Sequence, residues 1–324
     1  MFKNNRRGPV DFDAEWKRLQ LQRKRPDDST KWDAKSARFD SKDSKNIYAQ
    51  EFVSRMELRP ADTVFDMGCG TGPLSMILAN QGHDVLAADF SAGMLEKFHQ
   101  NLAQHNPPAT VKTLLMSWED DWTQFGISDQ MVDVALASRS ISAFDLRMCL
   151  EKLTRIARRR VFITLSTGAS PRIDPVLLRE IDVTPDVDAN DYLYAFGMLA
   201  QAGLEPTVDY IRSPRKDTWA TPQEAFEDLS TMIDLAAPSY DEASRNAARN
   251  RLQAWIDQHL VPNPDAGARD RKGFVQQALT LDRIRIVPWA FISWEASPQA
   301  ADALAALRSS QDIPAPQAVT AAGY

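Results

Sequence analysis

Cysteine and histidine are scarce in this 324-residue chain, with two of the first (Cys69 and Cys149) and four of the second. Two cysteines cannot build a disulfide framework, and His83, His99, His105 and His259 show no metal-ligand spacing, so a disulfide scaffold and a structural metal site are both excluded from the expectation. Long apolar runs are missing too: nothing approaches the ~18 uninterrupted residues of a membrane helix. Lys3, Arg6 and Arg7 near the start are not followed by the apolar stretch of a secretory signal. Together these absences point to a soluble, cytoplasmic protein. There is no excess of basic charge either; 38 Lys and Arg against 44 Asp and Glu give a net charge of −6, the opposite of a nucleic-acid footprint. The remaining composition, 44% hydrophobic and 25% charged, is that of a globular chain long enough for one large domain or two ordinary ones.

Residues 1–30 are polar and rich in Lys and Arg, and the expectation there is a solvated arm or lid helix, with Asp11 to Arg25 as a charged helix, the alternative being a binding site for anionic partners. From Thr63 to about Leu165, short apolar runs alternate with helical periodicity. Thr63–Met67, Asp84–Asp89, Val111–Leu115, Met131–Ser138 and Arg160–Leu165 read as buried strands. Gly72–Gln81 reads as a helix with Pro73 at its first position and Gly82 as its stop. Ser91 caps a second helix whose Met94, Leu95, Phe98 and Leu102 share one face. Leu146–Ile156 is the third. Strands alternating with helices predict a doubly wound α/β core around a parallel sheet.

Beyond Ser166, Asp191–Ala202 reads as a helix stopped by Gly203, Thr207–Ile211 as a strand, Thr221 to Ala278 as helical, and Ile284–Trp294 as a closing strand. The domain boundaries follow: a polar arm at 1–30, a core at 31–212 and 281–296, a helical insertion at 213–280 that caps the substrate, and a flexible tail at 297–324.

The most informative run is Val64-Phe65-Asp66-Met67-Gly68-Cys69-Gly70-Thr71-Gly72, a strand that ends in a carboxylate, a glycine-rich turn and a helix start. Glycine tolerates positive φ and has no Cβ, so the backbone can approach a ligand closely. A dinucleotide loop would read G-x-G-x-x-G. Here the third glycine arrives one residue early, Pro73 follows it, and Asp66 adds a negative charge suited to a cationic ligand. Asp89, at the end of the second strand, can accept both hydroxyls of a ribose.

The run resembles the class I S-adenosylmethionine-dependent methyltransferases, especially the small-molecule group related to ubiquinone and menaquinone methyltransferases. The resemblance covers about Trp32 to Leu165 and is carried by Asp66-x-Gly68-x-Gly70-x-Gly72 and Asp89-Phe90-Ser91-Ala92-Gly93-Met94-Leu95. It implies a Rossmann-like methyltransferase sheet and S-adenosyl-L-methionine as cofactor. By the same resemblance Asp66, Gly68, Cys69, Gly70 and Gly72 hold the methionine end, Asp89 the ribose, and Phe90 and Met94 flank the adenine. Where the family often carries an acid after the third strand this chain has Ser117, so Trp118 as an apolar wall and Glu119 as an acceptor take its place in the expected site. Trp32-Asp33-x-x-Ser36-Ala37-x-Phe39 resembles the family's N-terminal aromatic lid, and is equally one helix face packed on the core.

Acceptors in such folds lie at the carboxyl ends of the strands, here Ser138-Arg139-Ser140 and Ser166-Thr167-Gly168. Arg139 is suited to clamp a carboxylate or phosphate, or else to an ion pair with Asp145 or Glu119. Arg139, Ser140 and Tyr48 are the candidate acceptor residues, and Ser138 is assigned to the cofactor. No histidine is read as catalytic, and Tyr48, Tyr192 and Tyr194 are read as packing or else as wall or proton-handling residues. Asn106-Pro107-Pro108-Ala109 imitates the loop with which amino-methyltransferases hold a nitrogen, but it precedes the third strand instead of following the fourth. Trp219, Phe226, Met232 and Trp255 of the insertion are either walls of the acceptor site or the insertion's own core or dimer contact. The expectation is methyl transfer to a small molecule; the rivals are a protein or RNA methyltransferase and a non-catalytic cofactor-binding protein.

Overall fold

The computed structural model describes residues 10–23, 30, 32–33, 46–186, 190–270, 274–307 and 313–315. Five parallel strands build one side of the sheet: β1 (Val64–Met67), β2 (Val85–Asp89), β3 (Val111–Leu115), β4 (Val132–Ser138) and β5 (Ala157–Ser166). The chain then adds β6 (Thr207–Arg215) and, much later, β10 (Arg285–Glu295), which runs antiparallel between β5 and β6. The order is β3-β2-β1-β4-β5-β10-β6. β1 is buried along its whole length because helices cover both faces of a central parallel strand. β3, at the edge, is nowhere fully buried and carries Lys112.

The direction of winding reverses between β1 and β4, and a crevice opens at the carboxyl ends of such a pair. α2 (Ile47–Ser54), α3 (Pro73–Asn80) and α4 (Ala92–His105) lie on one face, where Phe52, Leu78, Phe98, Leu136, Phe162 and Phe291 pack together. On the other face α5 (Leu146–Ile156) and α7 (Asp191–Gln201) enclose Phe65, Met67, Trp122, Ile163 and Trp294. As expected, the Ser91 hydroxyl caps α4 by accepting from Met94 N–H at 3.1 Å, and Pro73 begins α3. Asn106, the start of the N-P-P imitation, closes α4 in the left-handed conformation and so serves as a helix stop.

Four expectations need correction. The described part of the arm is not solvated: α1 (Phe12–Arg23) docks on α7, with Trp16 0% exposed and its indole N–H donating to the Ala143 carbonyl at 2.9 Å. Phe12, Trp16 and Leu19 fall on one face, and Gly197 in α7 leaves the space that the Phe12 ring occupies. Second, the insertion is not all-helical. Beside α8 (Pro222–Ala236) and α9 (Glu242–His259) it holds a small antiparallel sheet of β7 (Thr218–Trp219), β9 (Leu279–Leu281) and β8 (Leu260–Pro262). Third, β6 runs on past Ile211, because β10 continues pairing with it as far as Arg215. Fourth, the expected tail begins with α10 (Pro298–Ala306), whose small Ala300 and Ala301, with Leu304, settle closely on α5. Between the main core and the insertion, α6 (Pro175–Glu180) contributes Leu177 and Leu178 to a third apolar cluster with Trp219, Ile233, Leu252 and Trp255. The Arg285 guanidinium, 4% exposed, bridges Asp174 and Asp217 across this junction.

Candidate functional site

Every glycine of the turn after β1 has positive φ, and each is required for a different reason. A Cβ on Gly68 would overlap Ser140, and one on Gly72 would overlap the Phe98 ring. Gly70 has nothing within 4 Å of that position, so it borders open space. The turn is held from several sides. Gly68 and Cys69 N–H both donate to the Ala88 carbonyl, at 2.7 and 3.0 Å. Asn101 from α4 donates to the Thr71 carbonyl at 3.0 Å. The Cys69 thiol is buried, and burial beside Asp66 and Asp89 pushes it well above its ordinary range, so it remains an unreactive thiol.

Two carboxylates meet this turn. Asp89 accepts from Gly70 N–H at 2.8 Å and from Ser91 N–H at 2.9 Å, one on each oxygen. Asp66 is buried and accepts from the Ser75 hydroxyl at 2.6 Å. Burial, partly offset by that hydrogen bond and reinforced by Asp89, raises its pKa to about 7. Enclosed acids of one sign attract a cation, and the open position over Gly70 gives it access. A sulfonium nucleoside with a ribose and an ammonium group fits this set of acceptors; a pyrophosphate does not. Ser75 and Asn101 were not singled out in the sequence, although both lie on the inward faces of the two flanking helices.

The expected adenine side divides. Phe90 is half-buried beside Asp89, and Met94 is buried on the first turn of α4. After β3, Ser117 uses its N–H to reach Asp120 at 2.8 Å and its carbonyl to accept from the Trp122 indole at 2.9 Å. Trp118 is 6% exposed, stacks obliquely against Trp122 at 5.6 Å, and donates to the Ser140 carbonyl at 2.8 Å. Its indole is thus a core element that ties the β3 loop to the β4 loop. Glu119 is exposed. Lys152 fastens this loop through the carbonyls of Trp118 and Asp120, both at 2.7 Å.

Of the expected N-terminal lid, Trp32 and Asp33 are described, whereas Ser36, Ala37 and Phe39 lie outside the described residues. One Asp33 oxygen accepts from the Ser91 hydroxyl at 2.5 Å and from Gly93 N–H at 3.0 Å. Ser91 is therefore gripped by Asp89 on one side and Asp33 on the other, which brings the N-terminal segment to the end of β2.

At the carboxyl ends of β4 and β5 the structure assembles Tyr48, Ser138, Arg139 and Thr164. The Tyr48 hydroxyl shares hydrogen bonds with Ser138 Oγ at 2.8 Å and Thr164 Oγ1 at 2.7 Å. Arg139 is left-handed, with φ of 58°, and its N–H donates to Thr164 Oγ1 at 3.1 Å. Its guanidinium lies over the Tyr48 ring, 4.1 Å from the centroid, and 5.6 Å from that of Trp289. The ion-pair alternative for Arg139 is not realised: Asp145 caps α5 and pairs with Lys17 and Arg147. Ser140 is the exception among the acceptor candidates. Its hydroxyl donates to the Met67 carbonyl at 2.7 Å and braces the glycine turn.

None of the four histidines reaches this end of the sheet. His83 donates from Nδ1 to the Asp62 carbonyl, His99 meets Thr113, His105 donates to the Asn101 carbonyl, and His259 stacks on Trp255. Tyr194 packs against Trp16 and Tyr192 against Tyr210. Trp219, Met232 and Trp255 belong to the insertion's own cluster, with half-buried Phe226 against it. The aromatic wall beside Arg139 is Trp289 of β10, which sequence reasoning missed.

Residues 64–160 match the profile of the family described as methyltransferase domain. An uncharacterized protein of Haemophilus influenzae is 29% identical over 238 residues, which are 72% of this chain and 82% of that protein. A malonyl-[acyl-carrier protein] O-methyltransferase of Serratia marcescens is 30% identical over 144 residues, or 44% of this chain and 51% of the relative. Among solved structures, the YcgJ protein of Bacillus subtilis superposes with a TM-score of 0.46 at 13% identity, covering 77% of this chain and 98% of that one.

Proposed function

We propose that the chain is a class I S-adenosylmethionine-dependent methyltransferase that methylates a small-molecule acceptor seated at the carboxyl ends of β4 and β5. The observation that carries this reading is the adjacency at the β1–β4 reversal. The open glycine turn with its two carboxylates lies on one side of it, and the Tyr48–Arg139–Trp289 group on the other.

When bound, S-adenosyl-L-methionine supplies an electrophilic methyl group on a sulfonium. Asp66 would balance positive charge at the methionine end, and Asp89 would accept the ribose hydroxyls. Gly68, Cys69, Gly70 and Gly72 would let the backbone approach, with Phe90 and Met94 beside the base. Ser117 and Trp118 would shape the adenine end through the loop they brace, Glu119 would stand at its rim, and Ser138 would face the transfer site. Chemistry of this kind depends on alignment and water exclusion, and alignment alone is worth ~7–11 kcal/mol. The braces on the turn and the hydroxyl network under Arg139 serve that alignment. Residues 213–280 would cover the acceptor from the β6–β10 side, anchored by Arg285 on Asp217 and Asp174.

The Serratia marcescens relative acts, by its name, on an acyl-carrier-protein substrate, and a relative from Pectobacterium carotovorum on 23S rRNA. The net charge of −6 favours a small acceptor over RNA. Incubating the purified chain with methyl-labelled cofactor and separate metabolite, protein and RNA fractions tests the reading. Label is expected in the low-molecular-weight fraction; label in protein or RNA alone contradicts it.

A further inference from the structure

We propose that Arg139 is a preorganised receptor for a carboxylate on the methyl acceptor, held in place by Tyr48 and Trp289; the inference rests on the methyl-transfer reading above. Three observations carry it. The first is the backbone: φ of 58° is a conformation that side-chain-bearing residues rarely adopt, and here it is fixed by the N–H bond to Thr164 Oγ1.

The second is the cradle. The guanidinium lies over the Tyr48 ring at 4.1 Å and within 5.6 Å of the Trp289 centroid, while the Tyr48 hydroxyl is tied to Ser138 and Thr164. The phenol therefore cannot swing away without breaking two hydrogen bonds. Stacking occupies the flat face of a guanidinium and leaves its in-plane N–H fork available for bidentate recognition.

The third is the missing counterion. Among the described residues no carboxylate pairs with Arg139, whereas Arg55, Arg155, Arg283 and Arg285 each have one. An exposed, aromatic-clamped cation without an acid partner, at a strand end where acceptors sit, is complementary to an anion brought by a ligand. The planar N–H fork of a guanidinium matches the two oxygens of a carboxylate.

Calorimetry with malonate as the probe and dimethyl malonate as the uncharged control, with and without S-adenosylhomocysteine, tests this. Wild-type protein is expected to bind malonate at least about tenfold more tightly than the diester, and Arg139→Gln to abolish the difference while keeping homocysteine-nucleoside affinity within about twofold. Tyr48→Phe, which keeps the ring, should hold malonate affinity within about threefold, and Tyr48→Leu should lose about fivefold or more. Equal binding of malonate and diester would overturn the proposal. So would a tenfold loss of nucleoside affinity in Arg139→Gln, which would place the arginine on the cofactor's own carboxylate. Absence of nucleoside binding to the wild type would sink the methyl-transfer reading by itself, and the malonate comparison without nucleoside would still decide the anion site.

Discussion

Asp66 concentrates the chemistry of the cofactor side in one carboxyl group. Its pKa of about 7 stands above the ordinary value of 3.8, chiefly because burial disfavours the charged form. The stability that its protonation contributes is therefore complete below about pH 4 and is lost as pH rises through 7. Asp66→Asn should stabilise the ligand-free protein at pH 8, by up to about 4 kcal/mol in urea titrations, and do little at pH 4. A cationic ligand selects the ionised form, so S-adenosylmethionine affinity should rise about tenfold from pH 6 to pH 8, with a proton released on binding. Affinity that is flat over that range would remove Asp66 from the site. Asp89→Ala should weaken cofactor binding by ~1.5–3 kcal/mol, the usual loss for hydrogen bonds to a charged group, and an unchanged dissociation constant in a folded variant would contradict the ribose assignment. Both carboxylates were legible in the sequence because a strand end, a glycine turn and an acid lie within a few residues of one another. Arg139 was legible as a strand-tip cation. Its partners Tyr48 and Trp289 come from opposite ends of the chain, and only the folded register brings them together.

Elements differ in how openly the sequence announces them. β1 to β5 and the helices between them follow from short apolar runs punctuated by Pro73, Gly82 and Ser91, and Leu146–Ile156 was read to the residue. α1 was misread because charged residues surround its apolar stripe, yet Phe12, Trp16 and Leu19 recur at helical spacing and could have been noticed. The dock is testable: Trp16→Ala should destabilise the protein by about 3–5 kcal/mol in chemical denaturation, the usual range for a fully buried aromatic. A loss below about 1 kcal/mol would return α1 to a loosely held arm. In the glycine turn, Gly72→Ala meets both a positive φ of 83° and the Phe98 ring, whereas Gly70→Ala meets only its φ of 56°. Thermal unfolding should rank Gly72→Ala as the more damaging, with Gly70→Ala costing about 1–2 kcal/mol. The short strands β7, β8 and β9 escaped notice because two- and three-residue strands carry too few positions to establish a period.

Taken whole, the molecule combines a sheet that brings the glycine turn after β1 and the Tyr48–Arg139 group to one reversal point with an insertion that has its own apolar cluster. The insertion enters and leaves through β6 and β10, and the register of β10, which sets Trp289 against Ser166 of β5 and Ile211 of β6, brings Trp289 beside Arg139. Long-range architecture of this kind depends on a register set across the whole excursion between Arg215 and Arg285, so it could not be read from local pattern. The central claim, that the glycine turn with Asp66 and Asp89 holds a sulfonium nucleoside, is tested most directly by calorimetric titration. S-adenosylmethionine, S-adenosylhomocysteine and reduced nicotinamide dinucleotide would each be titrated into the purified chain. Binding of the first two and none of the third is the predicted result; binding of the nicotinamide dinucleotide alone, or of none of the three, would contradict it.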